Sequence, residues 1–252
     1  MVESPAIADT SLFSAPLPFH YTSDGAEQKK RDSLGPTPSV DQVLCVLDWA
    51  QQCALRAAEE AMWNSAVHFP LLKMAVHGGG RVPAGGDTTT VGLTQCTTAR
   101  IIQEYLPIYA IRQSSLWQSI NHTFFEGLLD RPIVLSCESK RLDSEGTIQA
   151  TLQIGLWHAA QWKHLKTLAV QQQSSSQLPT FLPAVIISGH DWLFAATTQV
   201  QNKTILWKEY PFGHTRDAWG VYRIICGLQR LKAWALNDYW PWYRGHILGL
   251  AT

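Results

Sequence analysis

Apolar and polar positions along the chain change period several times, and the changes mark its elements. Residues 1–38 are rich in Ser, Pro and Ala and carry a Lys29-Lys30-Arg31 cluster, with no sustained period. They read as a disordered tail. The folded part opens at Ser39-Val40-Asp41-Gln42, where Ser followed three residues later by Gln is a capping-box pattern. A helix is predicted from there to about Val67, with Pro70 marking a break or kink. Residues 78–86 read as a glycine-rich loop, and residues 93–111 fit helix or strand equally. Residues 112–131 are polar and irregular. The apolar run Ile133-Val134-Leu135 reads as a buried strand ending in Glu138-Ser139-Lys140. A turn at residues 143–146 leads to a helix over about 148–170, and the tract 171–177 reads as a linker. A second buried strand follows at 182–189, continued or restarted at 190–196. Asn202-Lys203 turns the chain into a hairpin strand at 204–208. The last helix spans about 217–236 and ends in the aromatic run Tyr239-Trp240-Pro241-Trp242-Tyr243.

Alternating helices and apolar strands indicate an α/β core. With 252 residues, 46% of them hydrophobic and 16% charged, the chain can bury a sizeable core. Its 20 basic and 20 acidic residues balance, which removes the overall basic excess common among proteins that grip phosphate backbones. The five cysteines form no CxxC pair and read as reduced thiols of an intracellular protein. No run of 18 apolar residues exists, so no membrane span is expected. Most of the eleven tryptophans lie in helical or strand patterns and read as core.

The candidate chemistry gathers at the end of the Ile133 strand. Strand side chains alternate between faces, so Glu138 and Lys140 share one face, roughly 7 Å apart along the chain. A carboxylate and an ammonium at the rim of a core suit a divalent metal and an activated water; the plainer reading is a surface ion pair. Glu60, Asn64 and His68 fall at i, i+4 and i+8 on one helix face. Gln149, Gln153, Trp157, Gln161 and His164 line one third of the later helix, and its remaining face of Ile, Leu, Gly and Ala reads as packed on a sheet. His190-Asp191 looks like a dyad, but neighbours on a strand face opposite sides, which favours a structural role. No GK[ST] follows the glycine-rich loop, and neither GxSxG nor HExxH occurs, so phosphate-loop, serine-hydrolase and zincin chemistries have no support.

In this order the pieces resemble the PD-(D/E)XK nuclease-like proteins abundant in fungi. The likeness rests on Glu60-Ala61-Met62-Trp63-Asn64 with His68, on Arg131 through Arg141, and on Leu152 through Trp162. It continues in Gly189-His190-Asp191-Trp192 and in Gly220-Val221-Tyr222 with the aromatic run. It covers most of residues 39–245 and implies a single domain over 39–252 with a restriction-endonuclease-like core, a central mixed sheet flanked by helices. It implies Glu138, Lys140 and Gln153 as catalytic residues, and Glu60 and Glu138 as ligands of Mg²⁺. One member has no counterpart. The Asp expected on the strand before Glu138 is missing, because no Asp occurs from Gln103 to Leu129, and a strand is expected to be missing with it. The implied function is metal-dependent phosphodiester hydrolysis at an incomplete site, with nucleic acid as partner. The alternatives are an inactive pseudo-nuclease used as a binding or scaffold module, and an enzyme of small-molecule metabolism on the same fold.

Overall fold

The computed structural model of the chain describes residues 25–78, 91–95, 119–129, 131–140, 144–171 and 178–247. Of the expected tail, residues 1–24 lie outside the described residues, and Gly25–Asp32 form a helix, α1. Residues 33–38 are fastened to the domain: Gln229 donates to the Pro36 carbonyl at 2.9 Å, and Arg31 donates to that of Gly35 at 3.1 Å.

Helix α2 (Val40–Leu55) begins with the capping box that the sequence predicts, Ser39 and Gln42 exchanging hydrogen bonds. It does not run on to Val67. Ala57 takes a left-handed conformation with φ 46°, and the chain restarts as α3 (Glu60–Trp63). Pro70 does not end the helical path. Residues Asn64–His68 widen into a π-turn, and α4 (Phe69–His77) continues through the proline. In a straight α-helix the Pro70 ring would collide with the carbonyl four residues back, and the wider turn relieves this. The same device recurs later, where Ala235–Tyr239 form a π-turn that ends two residues before Pro241.

Strand β1 (Ser136–Lys140) starts after the apolar run, so Ile133, Val134 and Leu135 approach the sheet outside its ladder. A long helix, α5 (Ser144–Gln171), returns the chain to β2 (Leu182–Ser188), which pairs parallel to β1. β3 (Asp191–Val200) and β4 (Lys203–His214) add antiparallel strands, giving the order β1-β2-β3-β4 among the described residues. Gly189 turns β2 into β3 with φ 53°. Gln201 and Asn202 close the β3–β4 hairpin with φ 47° and 67°, the signs of a type I′ turn, one residue earlier than the sequence suggests. Helix α6 (Ala218–Trp234) is capped by Asp217, whose carboxylate accepts from the Gly220 N–H at 2.7 Å. After the second π-turn comes α7 (Trp240–His246), so the aromatic run is helical.

This is a restriction-endonuclease-like α/β architecture, an open mixed sheet with helices on both faces. Every residue of β2 is buried. Val185 and Ile187 pack into one core with α2, α4 and α6, while Ala184 and Ile186 pack on the other face with Ala150 and Ile154 of α5. The buried line of α5 runs through Ala150, Ile154, His158, Trp162, Leu165 and Ala169. The polar stripe read from the sequence therefore starts in solvent at Gln149 and Gln153 and enters the core at Gln161 and His164. Ile148, Leu152 and Leu156, read as part of a packed face, are exposed. No helix of the described residues is long and apolar enough to cross a membrane.

The segment that leads into β1 is strapped down by buried polar groups. Asn121 donates to the Arg131 carbonyl at 2.7 Å and accepts from the Ile133 N–H at 3.0 Å. Gln161 of α5 donates to the Ile133 carbonyl at 2.8 Å. The Thr197 hydroxyl of β3 receives the Trp162 indole N–H and lies 2.9 Å from His158 Nδ1, joining α5 to the sheet. These contacts fix where β1 begins and which way its side chains face.

Candidate active site

The residues that close β1 are the meeting point. Lys140 Nζ lies 2.6 Å from Glu138 Oε1, with both side chains partly buried. In the parallel register Glu138 sits beside Ile186 and Lys140 beside Ser188, so both face the α5 side. Ser139, between them, faces the other way. Its hydroxyl donates to Glu60 Oε1 at 3.1 Å, reaching the first residue of α3.

From Glu60 a chain of contacts returns to β1. Asn64 Nδ2 donates to the same Glu60 oxygen at 3.4 Å, and Asn64 Oδ1 lies 3.0 Å from His68 Nδ1. His68 Nε2 is 2.9 Å from the Gly189 carbonyl oxygen, and the Gly189 N–H donates to the Lys140 carbonyl at 3.4 Å. The ring of contacts thus runs Ser139–Glu60–Asn64–His68–Gly189–Lys140. His68 is buried between the rings of Trp63 and Trp192. Burial, only partly offset by the Gly189 contact, pushes it down to about 4, so the ring is neutral at pH 7. A neutral imidazole has one N–H. With the Asn64 amide oxygen at Nδ1 and the Gly189 carbonyl at Nε2, that N–H is donated to one of the two acceptors at a time.

The helix periodicity of Glu60, Asn64 and His68 signalled this line of residues. Ser139 and Gly189 carried no signal, because each is contacted by a residue far away in sequence. Gln153 lies exposed on α5, next to Ile154, which packs beside the Glu138 neighbour Ile186. Among the described residues no hydrogen bond joins Gln153 to Glu60, Glu138 or Lys140. His190 and Asp191 take separate partners. His190 Nδ1 meets the Thr215 hydroxyl at 2.8 Å, and Asp191 receives both nitrogens of Arg216 at 2.5 Å. That guanidinium holds the Asp191 carboxyl below its ordinary range. The stretch where the family's Asp is expected lies outside the described residues.

A magnesium ion prefers six oxygen ligands in near-octahedral geometry. Glu138 offers a carboxylate on the α5 face, already engaged by Lys140. Glu60 offers a second, directed at the opposite face of β1 through Ser139. Among the described residues no group of three or more His, Cys, Asp or Glu side chains is placed to hold a metal ion. The described donors supply part of such a shell and do not fit the ion alone.

A family model described as the PD-(D/E)XK nuclease superfamily matches residues 6–240. No curated protein and no solved structure matches the chain.

Proposed function

The chain belongs to the PD-(D/E)XK nuclease superfamily, and on that basis we propose a nuclease-like protein whose site is the end of β1. The observation that carries this reading is the Glu138–Lys140 pair closing β1, with Glu60 tied to the serine between them. Lys140 brings a cation to the rim of the sheet, where it would meet a phosphate and stabilise charge developing on its oxygens. Glu138 is the carboxylate available on the same face, and Glu60 is held within one hydrogen bond of the strand. Gln153, from the first turns of α5, is proposed to orient the bound phosphodiester. Nucleic acid is accordingly the proposed ligand.

Hydrolysis in this superfamily generally relies on a divalent metal, and Mg²⁺ is the proposed ion here, with Glu138 as a ligand; Glu60, which meets the opposite face of β1, would join it only by leaving Ser139. Its shell would need oxygens beyond the described set. The free, reduced thiols of Cys45, Cys53, Cys137 and Cys226 support an intracellular location.

A second reading is favoured by the 2.6 Å ion pair itself. A lysine that neutralises the carboxylate leaves it less able to attract a cation, as expected of a pseudo-nuclease that binds without cutting. The two readings separate in one assay. Labelled DNA and RNA are incubated with the protein and Mg²⁺ or Mn²⁺, and cleavage is compared with Glu138→Ala. Metal-dependent cleavage lost in the variant supports hydrolysis. Binding without cleavage supports the pseudo-nuclease, and the absence of both binding and cleavage would sink the nuclease-like reading altogether.

A further inference from the structure

β4 forms one edge of the described sheet, and α6 covers only part of it. The covered part is the end at Phe212 and Gly213. A Cβ built on Gly227 of α6 would lie 2.6 Å from the Phe212 ring, and one built on Gly213 would lie 2.5 Å from Ile224. Beyond this contact no helix of the described residues covers the same face. Tyr210 is 68% exposed, Trp207 60% and Ile205 37%. The register puts all three on one face, because they stand opposite Phe194, Ala196 and Thr198, alternate residues of β3. Trp207 is held in place, its indole N–H donating to the Thr198 hydroxyl at 2.9 Å. A ring fixed in advance loses little freedom when a ligand stacks on it.

Cations stand at both ends of this aromatic strip. Lys203 opens β4 opposite Val200, on the same face and exposed. At the other end, Arg223 and Arg230 are exposed on α6. With Gly227 they fall at i, i+4 and i+7, so the helix face pressed on Phe212 carries both guanidinium groups. A second copy of the chain laid face to face would set cations against cations in either orientation, since the two ends have the same sign. A polyanion with flat, stackable groups meets no such penalty.

We propose that this face of β4 binds single-stranded nucleic acid, with bases stacked on Trp207 and Tyr210 and phosphates meeting Lys203, Arg223 and Arg230. It is separate from the proposed active site. Three strand spacings of about 4.8 Å place β4 about 14 Å across the sheet from β1. The inference rests on the nuclease-like reading only for the class of ligand, and its residues are independent of Glu138, Lys140 and Glu60.

The test is fluorescence anisotropy of a labelled oligothymidylate titrated with the full chain. Trp207→Ala with Tyr210→Ala is expected to raise Kd about tenfold or more. Arg223→Gln with Arg230→Gln is expected to make log Kd less salt-dependent by a slope of about 1.4, two phosphate contacts at about 0.7 each on a single strand. Both pairs are exposed, so circular dichroism should match wild type. Metal-dependent cleavage, compared between wild type and Glu138→Ala, reports on the β1 site and is read separately from binding by the β4 variants. Three results would overturn the proposal: no binding by wild type, unchanged affinity in the aromatic variant, or equal competition by a blunt duplex. Sedimentation showing a dimer that the aromatic variant loses would also overturn it, by assigning the face to self-association.

Discussion

Ser139 was the least conspicuous residue of the Glu-Ser-Lys triplet, and in the fold it is the one that reaches another element. The parity of a strand dictates this: if Glu138 and Lys140 share one face, the residue between them must serve the other. What it meets there was not legible, because Glu60 lies 79 residues away and no local pattern announces such a contact. The helix half of the network was legible, since a spacing of four residues is enough to align Glu60, Asn64 and His68. The Ser139–Glu60 bond can be measured. In a double-mutant cycle of Ser139→Ala and Glu60→Ala, read by urea unfolding, a coupling of about 0.5–1.5 kcal/mol is expected for a net hydrogen bond. Zero coupling would mean that the two groups do not hold each other in solution.

The elements followed the sequence where burial was uniform and departed from it where one residue overrode a pattern. β2 read correctly because an unbroken apolar run has nowhere to go but the middle of a sheet. α2 stopped early because Ala57 adopts a left-handed turn that no periodicity foretells. Pro70 read as a break or kink, yet a π-turn just ahead of it lets the helix pass, and the same device precedes Pro241. The face of α5 was misjudged because Ile148, Leu152 and Leu156 are as apolar as the residues it buries. Two glycines test the packing with opposite signs. At Gly220 an added Cβ would sit 2.2 Å from the His214 carbonyl oxygen, so Gly220→Ala must push β4 away from α6. A loss of about 3 kcal/mol is expected, which is roughly 6–12 °C in Tm. At Gly155, in the middle of α5, the same methyl would meet nothing within 4 Å. Gly155→Ala should raise stability by about 0.5–1 kcal/mol through helix propensity. Calorimetry on the two variants decides; equal changes of one sign would contradict the packing described.

At the scale of the whole molecule, the order of helices and strands carried the family resemblance, and the match over residues 6–240 bears it out. Composition alone could not, because zero net charge argues neither for nor against a local basic strip. The molecule also carries a pH signature. Burial pushes His68, His158 and His164 down to about 4 and His122 to about 3. An unfolded chain protonates histidine near pH 6.5. Between pH 6.5 and about 4 the unfolded state therefore binds more protons, and stability must fall as the pH is lowered through that window. Above pH 6.5 these groups add no further slope. Tm measured from pH 7.5 to pH 4 should drop steadily below 6.5, and a flat or rising Tm would refute the buried neutral histidines. The central claim, a nuclease-like site at the end of β1, is tested most directly by cleavage of labelled nucleic acid at increasing Mg²⁺, comparing wild type with Glu138→Ala at equal folded concentration. The account predicts cutting that rises with Mg²⁺ and disappears in the variant. Cutting at an equal rate by Glu138→Ala would contradict it.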